Sequence, residues 1–406
     1  MNKVLVSALR YSQGPDATLG LATEMVGLGL RGPVCIIASR SAQRELEATW
    51  TKVFAAAGMA FVIHPFSGEC SRNEIARGRA AAAACGAQVI VGAGGGKALD
   101  TGRAVAAELG IPAVCCPTIA STDAPCSAIS AVYSDEGLFE TYLFHPHNPN
   151  LVLVDSTVIA RAPVRLLVAG MGDALSTWFE ARACMRSGER NSRNGVSTGA
   201  GMAIAELCWR ILQADGVSAL DAMKTATATP SPALERIIEA NTLLSGIGFE
   251  SAGLAAAHAI HNGLTVAPEV HAFHHGEKVA FGTLAQLMLE DAPQEEITAV
   301  LNFCTSVGLP VTFAEIGLHD PSDALLLRIA ERATIASDTI HNEPFAVTAT
   351  AVLEALKRAD TAGRAAIQAR RRGLHEALHQ ESGTRPHCVA CRAAGNGPHE
   401  RTTSVR

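Results

Sequence analysis

Up to Asp155 the chain alternates short apolar runs with helix-like stretches, and that alternation leaves few folds open. VCIIAS precedes a helical stretch from Ala42 to Ala57, and FVIHPF precedes SRNEIARGRAAAAACG. QVIVGAGGG runs into KALDTGRAVAAELG and then PAVCCPT. Apolar runs this short, with helices between them, imply a parallel sheet with helices on both faces. Ser71, with Glu74 three residues on, is a capping-box signature for one of those helices. A hairpin follows, with Asp135-Glu136-Gly137 at its turn, and then the strand LVLVD. Beyond it the period changes. From Pro163 to about Arg372 nearly every segment has helical spacing. At 406 residues the chain is too long for one ordinary core. The reading is an α/β domain over residues 1–160, an all-α domain over 161–370 and a basic, disordered tail over 371–406.

Within the alternating part, one turn carries chemistry. Gly92, Gly94, Gly95 and Gly96 follow a strand and open a helix. Glycines let a backbone approach a phosphate, and free N–H groups at a helix start attract its charge. The spacing is neither G-x-G-x-x-G nor a P-loop, so a tight strand-to-helix turn without a ligand is the competing account. The next strand ends in PTIASTDAPCSAIS, a small, polar loop at the carboxyl end, where open α/β sheets bind ligands. Asp123 is its only carboxylate. It either caps a turn or faces a ligand.

In the helical part, GLAAAHAIHNGLTVAPEVHAFHHGEKVAFG, from Gly253 to Gly282, holds five of the fourteen histidines. His258 and His261 lie three apart on one helix face, Pro268 breaks the helix, and a second run begins near His275. Two imidazoles from consecutive helices and one carboxylate would hold a divalent ion with a position left open for substrate. Asp173, in AGMGDALSTWFEA, is read at a glycine-to-helix junction. There it either caps the helix or completes the His/His/Asp set.

The net charge of −6 offers no footprint for nucleic acid. No run is long and apolar enough to span a membrane. The eleven cysteines are odd in number and mostly lie in apolar runs, and no secretory leader is evident, so a reduced, cytoplasmic protein is expected.

GGGKALDTGRA, PTIASTDAPCSAIS, AGMGDALSTWFEARA, GFESAGLAAAHAIHNGLT, HHGEKVAFGTLAQL and TIHNEP together resemble the glycerol dehydrogenase family. That family belongs to the metal-dependent (iron-containing, or type III) alcohol dehydrogenases. The resemblance implies a Rossmann-like parallel-sheet domain, an all-helical domain of the dehydroquinate synthase-like kind, and an active site between them. It implies Asp173, His258 and His275 as metal ligands, with Zn²⁺ by family habit and Fe²⁺ equally compatible with such a set. It implies nicotinamide cofactor contacts at Gly94, Gly95, Gly96, Lys97 and Asp100, and at Thr118, Ser121, Ser127, Ile129 and Tyr133. Asp123 would hold a polyol, and His261 is the hypothetical proton relay, with His274 also beside the ligands. The implied reaction is oxidation of glycerol to dihydroxyacetone. The implied assembly is a homo-oligomer, octameric by resemblance.

Two departures matter. Ser39, followed by Arg40, stands where the family usually places an Asp on the adenosine ribose. NADP should therefore be discriminated against less strongly than is usual, unless other groups hold the ribose and NAD still wins. The tail beyond Arg370 extends past the family pattern and contains Cys388 and Cys391 beside His387, without a second pair. The rival readings are a dehydroquinate synthase-like lyase and a reductase of small aldehydes or 2-oxo acids. The lyase would need cationic groups in the cleft for a phosphate, and the loop around Asp123 offers none.

Overall fold

The computed structural model describes residues 1–224 and 229–383. Its strands are β1 (Tyr11–Gly14), β2 (Val34–Ala38), β3 (Phe61–Pro65), β4 (Val89–Gly94), β5 (Ala113–Pro117), β6 (Ile129–Tyr133), β7 (Phe139–Phe144) and β8 (Leu151–Asp155). Six of them form one sheet in the order β1-β8-β5-β4-β2-β3, with every pair parallel. β6 and β7 make the expected antiparallel hairpin. Helices α1 (Leu21–Gly27), α2 (Arg40–Ala56), α3 (Arg72–Ala84) and α4 (Gly96–Leu109) connect the sheet strands. The chain steps from β2 outward to β3, then returns to β4 on the other side of β2. The carboxyl ends of β2 and β4 therefore flank the switch point, where such sheets open a crevice for ligands.

Alternation along the strands decides which face each side chain serves. Val34, Ile36 and Ala38 of β2 and Val89, Val91 and Ala93 of β4 pack with Trp50 and Phe54 of α2 and Leu21 and Met25 of α1. Cys35, Ile37 and Ile90 point the other way, toward Ile75 and Ala82 of α3 and Ala104 and Val105 of α4. Burial on both faces explains why these strands read as unbroken apolar runs. Ser71 does cap α3, accepting from the Glu74 N–H at 3.2 Å. The Glu74 carboxylate is spent elsewhere, on Ser67 and His64, so the box is formed on one side only.

After β8 every named element is helical: α5 (Ser156–Ala160), α6 (Val164–Ser187), α7 (Gly199–Lys224), α8 (Pro232–Glu239), α9 (Ser245–Ala252), α10 (Ala256–Leu264), α11 (His275–Leu289), α12 (Gln294–Val307), α13 (Asp323–Ala333) and α14 (Ala349–Gly383). A wider π turn, Ala240–Leu244, joins α8 to α9. One apolar core takes in these helices, α9 excepted, together with Cys115 of β5 and Val152 and Val154 of β8. No single described helix is long and apolar enough to cross a membrane.

Two sequence expectations shift. Asp173 caps nothing: it lies well inside α6, whose N-cap is Pro163. The neighbouring glycines are contact points rather than a turn. A Cβ on Gly170 would stand 2.0 Å from the Ala120 carbonyl, and one on Gly172 would stand 2.3 Å from that of Gly276. In addition, α14 runs on to Gly383, past the point where the tail was expected to begin. Cys388, Cys391 and His387 lie outside the described residues.

Candidate active site

Three helices bring the acidic and imidazole groups together. α6 and α11 cross where Gly276 faces the α6 backbone, and α11 begins at His275. α10 carries His258 and His261 one turn apart. Asp173, His258 and His275 each offer a ligand atom, and these atoms lie within 4.8 Å of one another. The Nε2 atoms of His275 and His258 stand 3.1 and 3.5 Å from Asp173 Oδ1. Tetrahedral ligands of a zinc ion, each about 2.0–2.1 Å from it, are about 3.3 Å apart. Asp173 Oδ1 is buried and has no hydrogen-bond partner among the described residues. A divalent cation fits this donor set: one carboxylate oxygen left over and two nitrogens aimed at it.

The electrostatics point the same way. Burial works against ionising Asp173, yet His275 and His258 hold its carboxyl well below the usual carboxylate range. Burial also disfavours a charged His258, but Glu180 and Asp173 on either side raise it well above the usual imidazole range. Two carboxylates thus bracket one imidazole and call for positive charge, which a proton or a metal ion can supply. His261 is driven well below its usual value, first by burial and then by His275.

Asp123 sits in the loop after β5. Its backbone N–H donates to Asp173 Oδ2 at 3.2 Å. Its carboxylate does not cap the short turn that follows. Instead Oδ2 accepts from the Ser245 hydroxyl at 2.8 Å. Burial, and then Asp173, push the Asp123 carboxyl well above its usual range. Arg103 fixes this loop, donating to the Ala124 carbonyl at 2.7 Å and the Ile129 carbonyl at 2.8 Å. From the helical side, Asn241 in the π turn donates to the Ala120 carbonyl at 2.9 Å.

The expected nucleotide residues divide. Gly94 ends β4 at φ 146°, and a Cβ there would meet Ser39 at 2.9 Å. Gly95 is the N-cap of α4 and Gly96 its first residue, so the helix start opens toward the crevice. Ser39 follows β2 and caps α2, accepting from the Ala42 N–H at 3.2 Å, with Arg40 exposed beside it. Thr118 donates its backbone N–H to the Gly94 carbonyl at 3.0 Å, and Ser121 is half-buried in the same loop. Lys97 reaches Glu69 at 2.6 Å and lies 4.7 Å from the centre of the Tyr133 ring. Ser127 and Asp100 turn inward. The Ser127 hydroxyl bonds the Ala124 carbonyl at 3.2 Å. The Asp100 carboxylate pairs with Arg103 and accepts from the Ala131 N–H at 3.2 Å. Burial raises Asp100 to about 6 although Arg103 opposes it.

Three groups that the motifs did not single out complete the site: Glu180, Ser245 and Arg103. Glu180 carried a signal, since it lies seven residues beyond Asp173 and so on the same helix face. Arg103 likewise follows Asp100 by three. Nothing local marked Ser245. Of the other histidines, His261 contacts His275 at 3.0 Å. His274 precedes α11, and its backbone N–H donates to Glu277 at 2.7 Å.

Residues 8–156 match the iron-containing alcohol dehydrogenase family. The chain is 49% identical over 370 residues to glycerol dehydrogenase of Escherichia coli O6:H1 (strain CFT073), covering 91% of this chain and 99% of that one. It is 44% identical over 364 residues to glycolaldehyde reductase of Halobacterium salinarum, covering 90% and 99%. The crystal structure of glycerol dehydrogenase from Schizosaccharomyces pombe superposes with a TM-score of 0.86 at 36% identity, covering 90% of this chain and 92% of that one.

Proposed function

Because the chain belongs to the glycerol dehydrogenase branch of the iron-containing alcohol dehydrogenase family, we propose that it oxidises glycerol to dihydroxyacetone, passing a hydride to a nicotinamide cofactor. The observation that carries this reading is the convergence of Asp173, His258 and His275 beside Asp123, at the carboxyl end of the sheet. Those three residues would hold a divalent cation, Zn²⁺ or Fe²⁺. Its Lewis acidity would lower the pKa of a bound alcohol toward neutrality.

The chain's own groups account for the rest. Asp123, braced by Ser245, stands next to the cation ligands, so its carboxyl can grip the hydroxyl neighbouring the one that reacts. A vicinal diol would use both grips and a simple alcohol only one. The glycine turn and the start of α4 would take the cofactor pyrophosphate, with Lys97 and Tyr133 alongside. Ser39 and exposed Arg40 stand at the end of β2, without a carboxylate to repel a 2′-phosphate. Acceptance of NADP alongside NAD is part of the proposal.

A second reading draws on the glycolaldehyde reductase relative: reduction of a small hydroxyaldehyde by the same site. One experiment separates them. Metal-stripped full-length protein, with and without Zn²⁺, is assayed on glycerol with NAD and with NADP, and on glycolaldehyde with the reduced cofactors. Glycerol oxidation that returns only with metal supports the proposal. Activity that is undiminished without metal would remove the metal site from the mechanism. Failure on glycerol with turnover of glycolaldehyde would establish the second reading in its place.

A further inference from the structure

Both imidazoles that converge on Asp173 are held from behind, by unlike devices. Glu180 lies on α6, the helix that carries Asp173, and is fully buried. Its Oε1 accepts the backbone N–H groups of Ala255 and His258, each at 2.9 Å. Its Oε2 stands 2.7 Å from His258 Nδ1. A carboxylate only accepts, so His258 Nδ1 carries a hydrogen and Nε2, facing Asp173, is the atom for which a proton and a metal ion compete.

On the other side two neutral groups, anchored on a more distant carboxylate, reach the same result. Asp338 accepts from the Asn262 amide nitrogen at 3.1 Å. That contact turns Asn262 Oδ1 toward His261 Nδ1, 3.2 Å away, so His261 donates there. His261 Nε2 must then accept, and His275 Nδ1 is 3.0 Å from it. His275 Nδ1 therefore carries a hydrogen, which leaves Nε2, 3.1 Å from Asp173 Oδ1, as its ligand atom. Each link is fixed by the carboxylate at the far end.

We infer that Glu180, and the string Asp338–Asn262–His261, are positioning residues that fix the tautomers of His258 and His275, so that two nitrogen ligands are aimed before a metal arrives. The inference rests on the reading of Asp173, His258 and His275 as a metal site. It also explains why two carboxylates distant in sequence, Glu180 and Asp338, are spent on α10 at the back of the site. Partners behind metal-bound histidines orient the ring and raise its donor strength.

Glu180→Gln is the informative change, because an amide cannot replace this carboxylate. If its oxygen serves the two backbone N–H groups, its NH₂ opposes His258 Nδ1–H and favours the tautomer that cannot bind metal. If its oxygen serves His258, the NH₂ opposes the backbone. Zn²⁺ affinity of the metal-stripped full chain is measured by competition with a chromogenic chelator. Nucleotide binding and the metal-free melting temperature are read in parallel. The expected result is Zn²⁺ binding weaker by roughly 10- to 100-fold, with nucleotide binding near wild type and a melting temperature only modestly lower. Asn262→Ala, which frees the second string, should weaken Zn²⁺ binding by several-fold and serves if the first variant does not fold.

Zn²⁺ affinity of the variants within about threefold of wild type would overturn the inference. So would a loss of metal binding matched by equal losses of nucleotide binding and melting temperature, since that is the behaviour of a packing residue. Wild-type protein that binds no Zn²⁺ would overturn both the inference and the metal site beneath it.

Discussion

Glu343 is the residue whose setting makes the sharpest demand on pH. It is buried, and its Oε1 accepts the N–H of Ala256, the first residue of α10, at 3.2 Å. Its Oε2 has no hydrogen-bond partner among the described residues. Burial, reinforced by Glu290, raises its carboxyl to about 8. The unfolded chain would ionise near the ordinary glutamate value. Between that value and about 8 the folded protein alone keeps the proton, so stability falls as pH rises across this window, and the full cost is reached above it. Glu343→Gln should remove that slope. At pH 5 the variant should match wild type, and at pH 8.5 it should gain roughly 2–4 kcal/mol. Urea unfolding at the two pH values measures this; a gain of equal size at both would mean that charge is not the cause. Residue chemistry was legible in the sequence where it came as pattern. Asp173, His258 and His275 could be picked out from motif and spacing, whereas Ser245 and Glu343 act only through contacts that the fold makes. The pairing of Asp100 with Arg103, one turn on, is likewise a contact that the nucleotide-like motif did not announce.

At the scale of elements, periodicity foretold every sheet strand except β1 at the edge, the hairpin, and the break between α10 and α11. It did not foretell how α6 begins. Glycines near Asp173 read as a junction, but a helix uses glycine equally well where another backbone must come close. The crossing of α6 and α11 is the case that matters, since it sets His275 against Asp173. A Cβ on Gly276 would lie 1.8 Å from the Ala169 carbonyl oxygen and 2.7 Å from the Asp173 nitrogen. Both are backbone atoms and cannot swing away, so Gly276→Ala must push the helices apart. Overpacking of this kind costs about 1–3 kcal/mol or more. The expected outcome is a melting temperature lower by several degrees, and metal content after dialysis well below that of wild type. Full metal retention in a destabilised variant would show that His275 is aimed by something other than this crossing.

For the whole molecule, the arrangement of cores argues against two halves that unfold separately, although the chain is long enough for that to be the default. One face of the sheet rests on α1 and α2, and β2 and β4 rest on α3 and α4 by the other. On that other face α4 reaches as far as β5, with Leu99 and Arg103 beside Cys115, and at β8 the sheet meets the helices that follow it. Cys115, Val152 and Val154 there belong to the same core as Phe179, Trp209 and Phe303 of the helices. Polar ties cross at the same place. Glu250 of α9 accepts from the Ala128 N–H at 3.1 Å and from Asn148 at 2.5 Å, and the loop N–H of Asp123 reaches Asp173. Stripping the helices from the sheet would expose apolar surface on both sides and strand these buried groups. The tryptophans allow a direct test, because Trp50 lies in the α2 core and Trp209 in the shared one. Variants that retain only Trp50 or only Trp209, the others replaced by Phe, should show coincident urea transitions by fluorescence. On the proposed reading Zn²⁺ would bind the native state alone, so an excess should move both midpoints upward together, by a free energy that grows with the logarithm of its concentration over its dissociation constant. If the Trp50 transition came first and stayed fixed when Zn²⁺ was added, the sheet would be melting on its own. The shared face at β5 and β8 would then be too weak a link to carry the stabilisation gained at Asp173 into the rest of the chain.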